Sequence, residues 1–91
     1  MFKFNIAIKL EKKLNKLSKK DKILAKIFER KIIEIVNNDE TTINRYKNLK
    51  APHNDLKRIH LTDNYILLFH VNIKYNHILF LNILHRDYAY T

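Results

Sequence analysis

Ninety-one residues with neither cysteine nor glycine leave room for one small core, which should bury somewhat more than about 60% of the unfolded surface, and they exclude disulfides and thiolate metal sites. The 18 Lys and Arg against 9 Asp and Glu, a formal charge of +9, call for a polyanionic partner: nucleic acid, an anionic surface or an acidic protein. The N-terminus lacks the unbroken apolar core of a signal peptide and no run nears the 18 apolar residues of a membrane span, so a soluble cytoplasmic protein of one domain, residues 1–91, is expected.

Phe2, Phe4, Ile6 and Ile8 alternate with Lys3, Asn5, Ala7 and Lys9, the period of a strand with one buried face. From Leu10 the period lengthens: Leu10, Leu14 and Leu17 describe a short helix with a basic outer face. Ser18-Lys19-Lys20-Asp21 has the form of a capping box and predicts a second helix from about Lys19 to about Asn38, lined by Leu24, Ile27, Phe28, Ile32, Ile35 and Val36. Lys12, Lys13, Lys16, Lys19 and Lys20 on this hairpin are candidate RNA contacts, with simple solvation of the helices and, last, a lipid-surface helix as the alternatives.

The segment from Asp39 to Asp55 is polar, has no period and holds the one proline, Pro52, so it is expected to be a connecting loop with Leu49 as its anchor. Three apolar runs follow, Leu56 to Leu61, Tyr65 to Val71 and His77 to Leu84, joined by short polar turns that allow only an antiparallel meander. With no glycine, the tight turns at Asn37-Asn38-Asp39, Asp63-Asn64 and Asn76 are expected to use Asn or Asp for left-handed backbone. The whole predicts an α+β fold: an N-terminal strand, a two-helix hairpin and a three-strand meander, with the helices on one face of the sheet.

The meander carries the chemistry. If Leu61 pairs with Tyr65, then His60 lies opposite Ile66, Arg58 opposite Leu68 and Leu56 opposite His70, so Arg58, His60 and His70 share a face. The register of the third strand stays open: a four-residue loop brings His85 towards that face and a five-residue loop turns it away. Imidazoles beside arginines suit metal-free RNA cleavage, in which a base takes the 2′-hydroxyl proton, cations hold the phosphate and an acid protonates the leaving 5′-oxygen. His53 reads as a solvated loop residue and His77 as a turn residue, while His70 suits a hydrogen-bonded core position as well as a site. No histidine spacing suggests a metal site, and neither metal nor other cofactor is expected.

The stretches LSKKDK, YKNLKAPHNDLKRIHLTDNYILLF and ILFLNILHRDYAY, in this layout, resemble the RelE/ParE toxin superfamily across nearly the whole chain. RIHLTDNYILLF is most similar to the YafQ-type branch of mRNA interferases. The resemblance implies a RelE-like fold and a toxin that cleaves mRNA at the ribosome, monomeric when free and silenced by a cognate antitoxin whose acidic or amphipathic segment covers the basic cleft. By matching position it implies catalytic roles for His60 and His85, a phosphate-holding role for Arg86 with Arg58 beside it, and a catalytic aromatic at Tyr90. The turn aspartate of the branch falls on Asn64, which is carried with Lys57 as an RNA contact, and Ile66 stands where RelE-type sites carry an arginine. A ParE-like gyrase inhibitor, which needs neither histidine, and a catalytically inert nucleic-acid-binding module are the alternatives.

Overall fold

The N-terminal alternation forms strand β1, Lys3–Ile6, and the chain turns at once into helices α1, Ile8–Lys20, and α2, Lys22–Val36, as described by a computed structural model covering residues 1–89. A 3-10 turn at Thr42–Arg45 interrupts the connection to the meander, β2 Leu56–His60, β3 Tyr65–Asn72 and β4 His77–His85, after which a short helix α3, Arg86–Ala89, begins. The sheet order is β1-β4-β3-β2: the meander is antiparallel and β1 adds to its far side parallel to β4, pairing Lys3 with His77 through Ile6 with Phe80. First and last strands of the chain are thus neighbours.

Alternate residues of every strand face the helices. Leu67, Phe69, Ile78, Phe80 and Ile83 meet Leu10, Leu24, Phe28, Ile32 and Ile35 in one core, with Ile59 half-buried at its margin. Leu24 and Phe28 are only 1% and 4% exposed, so Leu24→Ala or Phe28→Ala is expected to cost about 2 to 5 kcal/mol, read as a lower urea midpoint with the slope unchanged.

Several local expectations are corrected. The helices meet at Asp21, whose backbone is extended and whose Oδ1 accepts the Leu24 N–H at 3.0 Å; Ser18 instead lies within α1, its hydroxyl donating to Asn15 O at 3.2 Å. Asp21 stands at the helix boundary with the extended backbone that a cap needs, whereas Ser18 lies inside α1, so the capping box loses to it. Among the described residues only Asn76 takes a positive φ, 52°. At Asp39 the side chain turns the chain without left-handed backbone, its Oδ1 accepting the N–H groups of Thr41 and Thr42 at 2.8 Å each.

The long connection is anchored by Ile43 and Tyr46, both buried in the core, rather than by the half-buried Leu49. The Tyr46 hydroxyl donates to Glu34 Oε2 at 2.7 Å and accepts from Asn38 Nδ2 at 3.2 Å, fastening the loop to the end of α2. That bond is the leading cause that holds the Glu34 carboxyl below the usual carboxylate range. Beyond Tyr46 the backbone runs along the outer edge of β2: Leu49 N–H donates to Leu56 O and Arg58 N–H to Lys47 O, so this edge is covered.

Candidate active site

The register of β2 on β3 is the one expected, with His60 opposite Ile66, Arg58 opposite Leu68 and Leu56 opposite His70. These residues lie on the face away from the helix hairpin, where His60 is exposed and Arg58 and His70 are half-buried. Ile66 and Leu68 are also buried on that side, although they belong to no part of the helix-side core.

The connection from β3 to β4 has four residues, Ile73 to Asn76, since Asn72 pairs with His77. Counted without interruption, that length sets His85 on the face of His60. The ladder is interrupted, however: Phe69 pairs with Phe80 but Leu68 with Asn82, so Leu81 is an extra residue on β4. A bulge of this kind reverses the parity of everything beyond it. His85 therefore lies opposite Tyr65, on the helix side, with the two rings edge-to-face at 5.7 Å. Both histidines flank the same end of the sheet from opposite faces, their Cα atoms about 10 Å apart across two strand spacings.

The turn between β2 and β3 closes this end. Leu61 N–H donates to Tyr65 O at 2.9 Å, Asn64 N–H to Thr62 Oγ1 at 3.2 Å, and Arg86 N–H reaches across to Asn64 O at 2.8 Å. Asn64 thus contributes its carbonyl to the seating of Arg86, while its own side chain is exposed. The His85 imidazole meets Asp87, whose main-chain N–H is 3.3 Å and carboxylate Oδ2 3.4 Å from Nδ1; Asp87 Oδ1 lies 4.0 Å from Arg86 Nε. Sequence reasoning misses Asp87, though an acid two residues past a histidine at a strand end is a readable signal. Tyr90 lies outside the described residues.

The basic residues divide into two groups. Lys12, Lys16, Lys19 and Lys20 are exposed along the hairpin. Lys13 and Lys57 are committed to the fold instead, which corrects their expected place on an RNA-binding surface. Because β1 ends at Ile6, the edge of β4 beyond Phe80 has no strand beside it, and Lys13 Nζ donates there to Ile83 O at 2.6 Å and Asn82 Oδ1 at 3.1 Å. Lys57 points to the core side of β2, only 8% exposed, and donates to Tyr46 O at 3.0 Å and Asn48 Oδ1 at 2.8 Å. Burial pushes both lysines below their ordinary range, with Lys9 adding to the effect at Lys13. Lys57→Ala strands the Tyr46 carbonyl, and is expected to cost about 1 to 3 kcal/mol in a denaturant titration while Lys12→Ala costs almost nothing.

His70 is half-buried in mid-strand, and His77, the first residue of β4, has Nε2 2.7 Å from Asn5 Oδ1 and so ties β1 to β4. His53 is exposed in the loop. Among the described residues no three His, Cys, Asp or Glu side chains gather as metal ligands, and no helix is long and apolar enough to cross a membrane.

The chain thus folds as a four-stranded α+β sheet with a basic helix hairpin on one face, His85 closing β4 and Arg86 opening α3. No protein-family model matches the sequence. It is 37% identical over 90 residues, covering 99% of this chain and 92% of the relative, to a Methanocaldococcus jannaschii protein named "Putative toxin RelE4". Among solved structures it is similar to YafQ of E. coli, with TM-score 0.74 at 12% identity over 100% of both chains. It is also similar to a chain of the archaeal RelE–RelB complex from Pyrococcus horikoshii, with TM-score 0.65 at 21% identity over 97% of this chain and 98% of that one. The chain belongs to the RelE toxin superfamily.

Proposed function

We propose that this protein is the toxin of a type II toxin–antitoxin pair and cleaves mRNA at the ribosome, in the cytoplasm, without a metal. The observation that carries the proposal is the seating of His85 and Arg86 at the end of the sheet, where Tyr65 packs on the imidazole and Asn64 O holds the Arg86 main chain. A phosphodiester lying over the β2–β3 turn meets His85 and Arg86 from the helix side, and His60 has to reach it from the opposite face round the end of the sheet. His60 removes the 2′-hydroxyl proton, the 2′-oxygen attacks phosphorus to form a cyclic phosphate, and His85 protonates the 5′-oxygen as its bond to phosphorus breaks. Arg86 and Arg58 hold the phosphate charge that grows in between. The two histidines can exchange roles, because nothing in their placement distinguishes the acid from the base.

The partner is an antitoxin, as the RelE–RelB complex from Pyrococcus horikoshii exemplifies for a structural relative. Its seat is expected at a groove of about 510 Å³ between β1, α1 and α2, lined by Phe4, Ile6, Leu14, Ala25, Phe28 and Ile33. Phe4 and Ile33 stay 44% and 60% exposed there. The groove also borders an unpaired strand edge. Lys3 N–H and Ala7 N–H point inward to Asn76 O and Phe80 O, so the alternation of a parallel ladder turns the Phe4 and Ile6 amides outward. A segment covering this groove, rather than the basic cleft alone, accounts for the exposed apolar surface.

The test is expression of the chain in cells with mapping of mRNA 5′ ends after growth arrest, and cleavage of ribosome-bound mRNA in EDTA. Cleaved message and persistence in EDTA are expected. Arrest without cleavage favours a gyrase-type poison, and neither arrest nor cleavage favours an inert nucleic-acid-binding module.

A further inference from the structure

We propose that Lys13 and Asn82 are positioning residues: together they stand in for a missing strand beside Ile83 and so hold the end of β4, with His85 and Arg86 beyond it, in the place where substrate is met. The proposal rests on the assignment of His85 and Arg86 to the site made above. Its basis is the edge of β4, where the N-terminal strand gives out before the strand it pairs with does.

Pairing of β1 with β4 ends at Ile6 and Phe80, and Ala7 N–H adds one more bond, to Phe80 O at 2.8 Å, before the chain enters α1. In a strand the N–H and C=O of one residue point to the same side. Without the bulge at Leu81 the next pair facing this edge would belong to Asn82; with it, the pair belongs to Ile83. Side chains meet both groups. Ile83 N–H donates to Asn82 Oδ1 at 3.0 Å, Ile83 O accepts from Lys13 Nζ at 2.6 Å, and Lys13 Nζ also donates to Asn82 Oδ1 at 3.1 Å. A neighbouring strand would supply one acceptor and one donor here; Asn82 supplies the acceptor and Lys13 the donor, and they brace each other. The donor is an ammonium, whose hydrogen bonds are roughly twice as strong as those of a neutral group.

The Ile83 side chain is 1% exposed in the core and fixes which way the strand faces, so losing the clamp does not turn the strand over. It frees the main chain at the edge to shift, and His85 follows two residues on. A displacement of about 1 Å at a reacting group is enough to cost a rate about 100-fold. Lys13 reaches the strand from α1, so the helix hairpin and the site are joined through this one side chain as well as through the core.

The experiment is NMR of the full chain, reading the contact between the Tyr65 and His85 rings and that between the Phe69 and Phe80 rings, together with steady-state cleavage of ribosome-bound mRNA, for wild type, Lys13→Met, Lys13→Arg and Asn82→Ala, with His85→Ala added for cleavage. In Lys13→Met and Asn82→Ala the Tyr65–His85 contact, 5.7 Å between centroids, should weaken, while the Phe69–Phe80 contact before the bulge, 5.9 Å, persists. The kcat of both should fall about 10- to 100-fold with KM unchanged, and Lys13→Arg, which keeps a charged donor, should recover most of the loss. A Tyr65–His85 contact as strong in both variants as in wild type overturns the proposal whatever the activity. Loss of both ring contacts together also overturns it, because the clamp then serves the sheet as a whole; if Lys13→Met fails to fold, Asn82→Ala decides by the same readings. A displaced His85 with wild-type kcat, while His85→Ala is inactive, overturns the positioning role and leaves the catalytic assignment standing. Undiminished cleavage by His85→Ala overturns the catalytic assignment of His85 and the positioning role with it.

Discussion

His85→Ala and His60→Ala should each lower the rate of mRNA cleavage by roughly 10² to 10⁴ while leaving the unfolding midpoint near that of wild type. His60 is exposed and His85 half-buried, so neither imidazole fills core volume. The two changes are expected to differ in kind. His85 shares its environment with Arg86, Tyr65 and Asp87, and its loss should also loosen the end of β4 slightly; His60 lies on the far face and should affect only the chemical step. The double mutant should be scarcely worse than the weaker single mutant, because acid and base act on one transition state. Full activity in His60→Ala with loss in His85→Ala would assign both proton transfers to the helix side of the sheet and remove β2 from the mechanism.

Ile33→Glu should abolish inhibition by the small acidic protein expected to be encoded beside this chain, weakening the complex by about 30- to 1000-fold, the range of a central interface residue. Ile33 is 60% exposed on α2 and lines the groove beside β1. A carboxylate there costs the free toxin little and must be desolvated in the complex. Cleavage activity should be unchanged, since the groove lies on a different part of the surface from His85 and Arg86. Isothermal titration of wild type, Ile33→Glu and Lys16→Glu separates the two possible seats. Loss only in Lys16→Glu would return the antitoxin to the basic face of the hairpin.

The parts of this molecule that the sequence announces are those governed by local periodicity. The register of β2 on β3 follows from a tight turn between two apolar runs, and the faces of α1 and α2 follow from the spacing of their leucines and isoleucines. Lys57 alternates with Arg58 and His60 and so belongs to the core side, an alternation that by itself argues against an RNA contact. What could not be read is set by contacts distant along the chain. The bulge at Leu81 turns His85 away from the face of His60, and nothing in LFLNILH marks Leu81 as the extra residue. Nor does the alternation of β1 reveal its pairing with β4, or that α1 would then take over the strand edge through Lys13.

The parallel pairing of β1 with β4 bears on when, during its own synthesis, the molecule can become active. Lys3–Ile6 are made long before their partners His77–Phe80. The sheet cannot close until β4 has left the ribosome, and contacts of such long sequence separation are slow to form. The strand that receives β1 is also the one that ends in His85, so completing the sheet and completing the site are a single late event. A nascent chain stalled anywhere short of β4 therefore has a helical hairpin and a loose first strand but no assembled site.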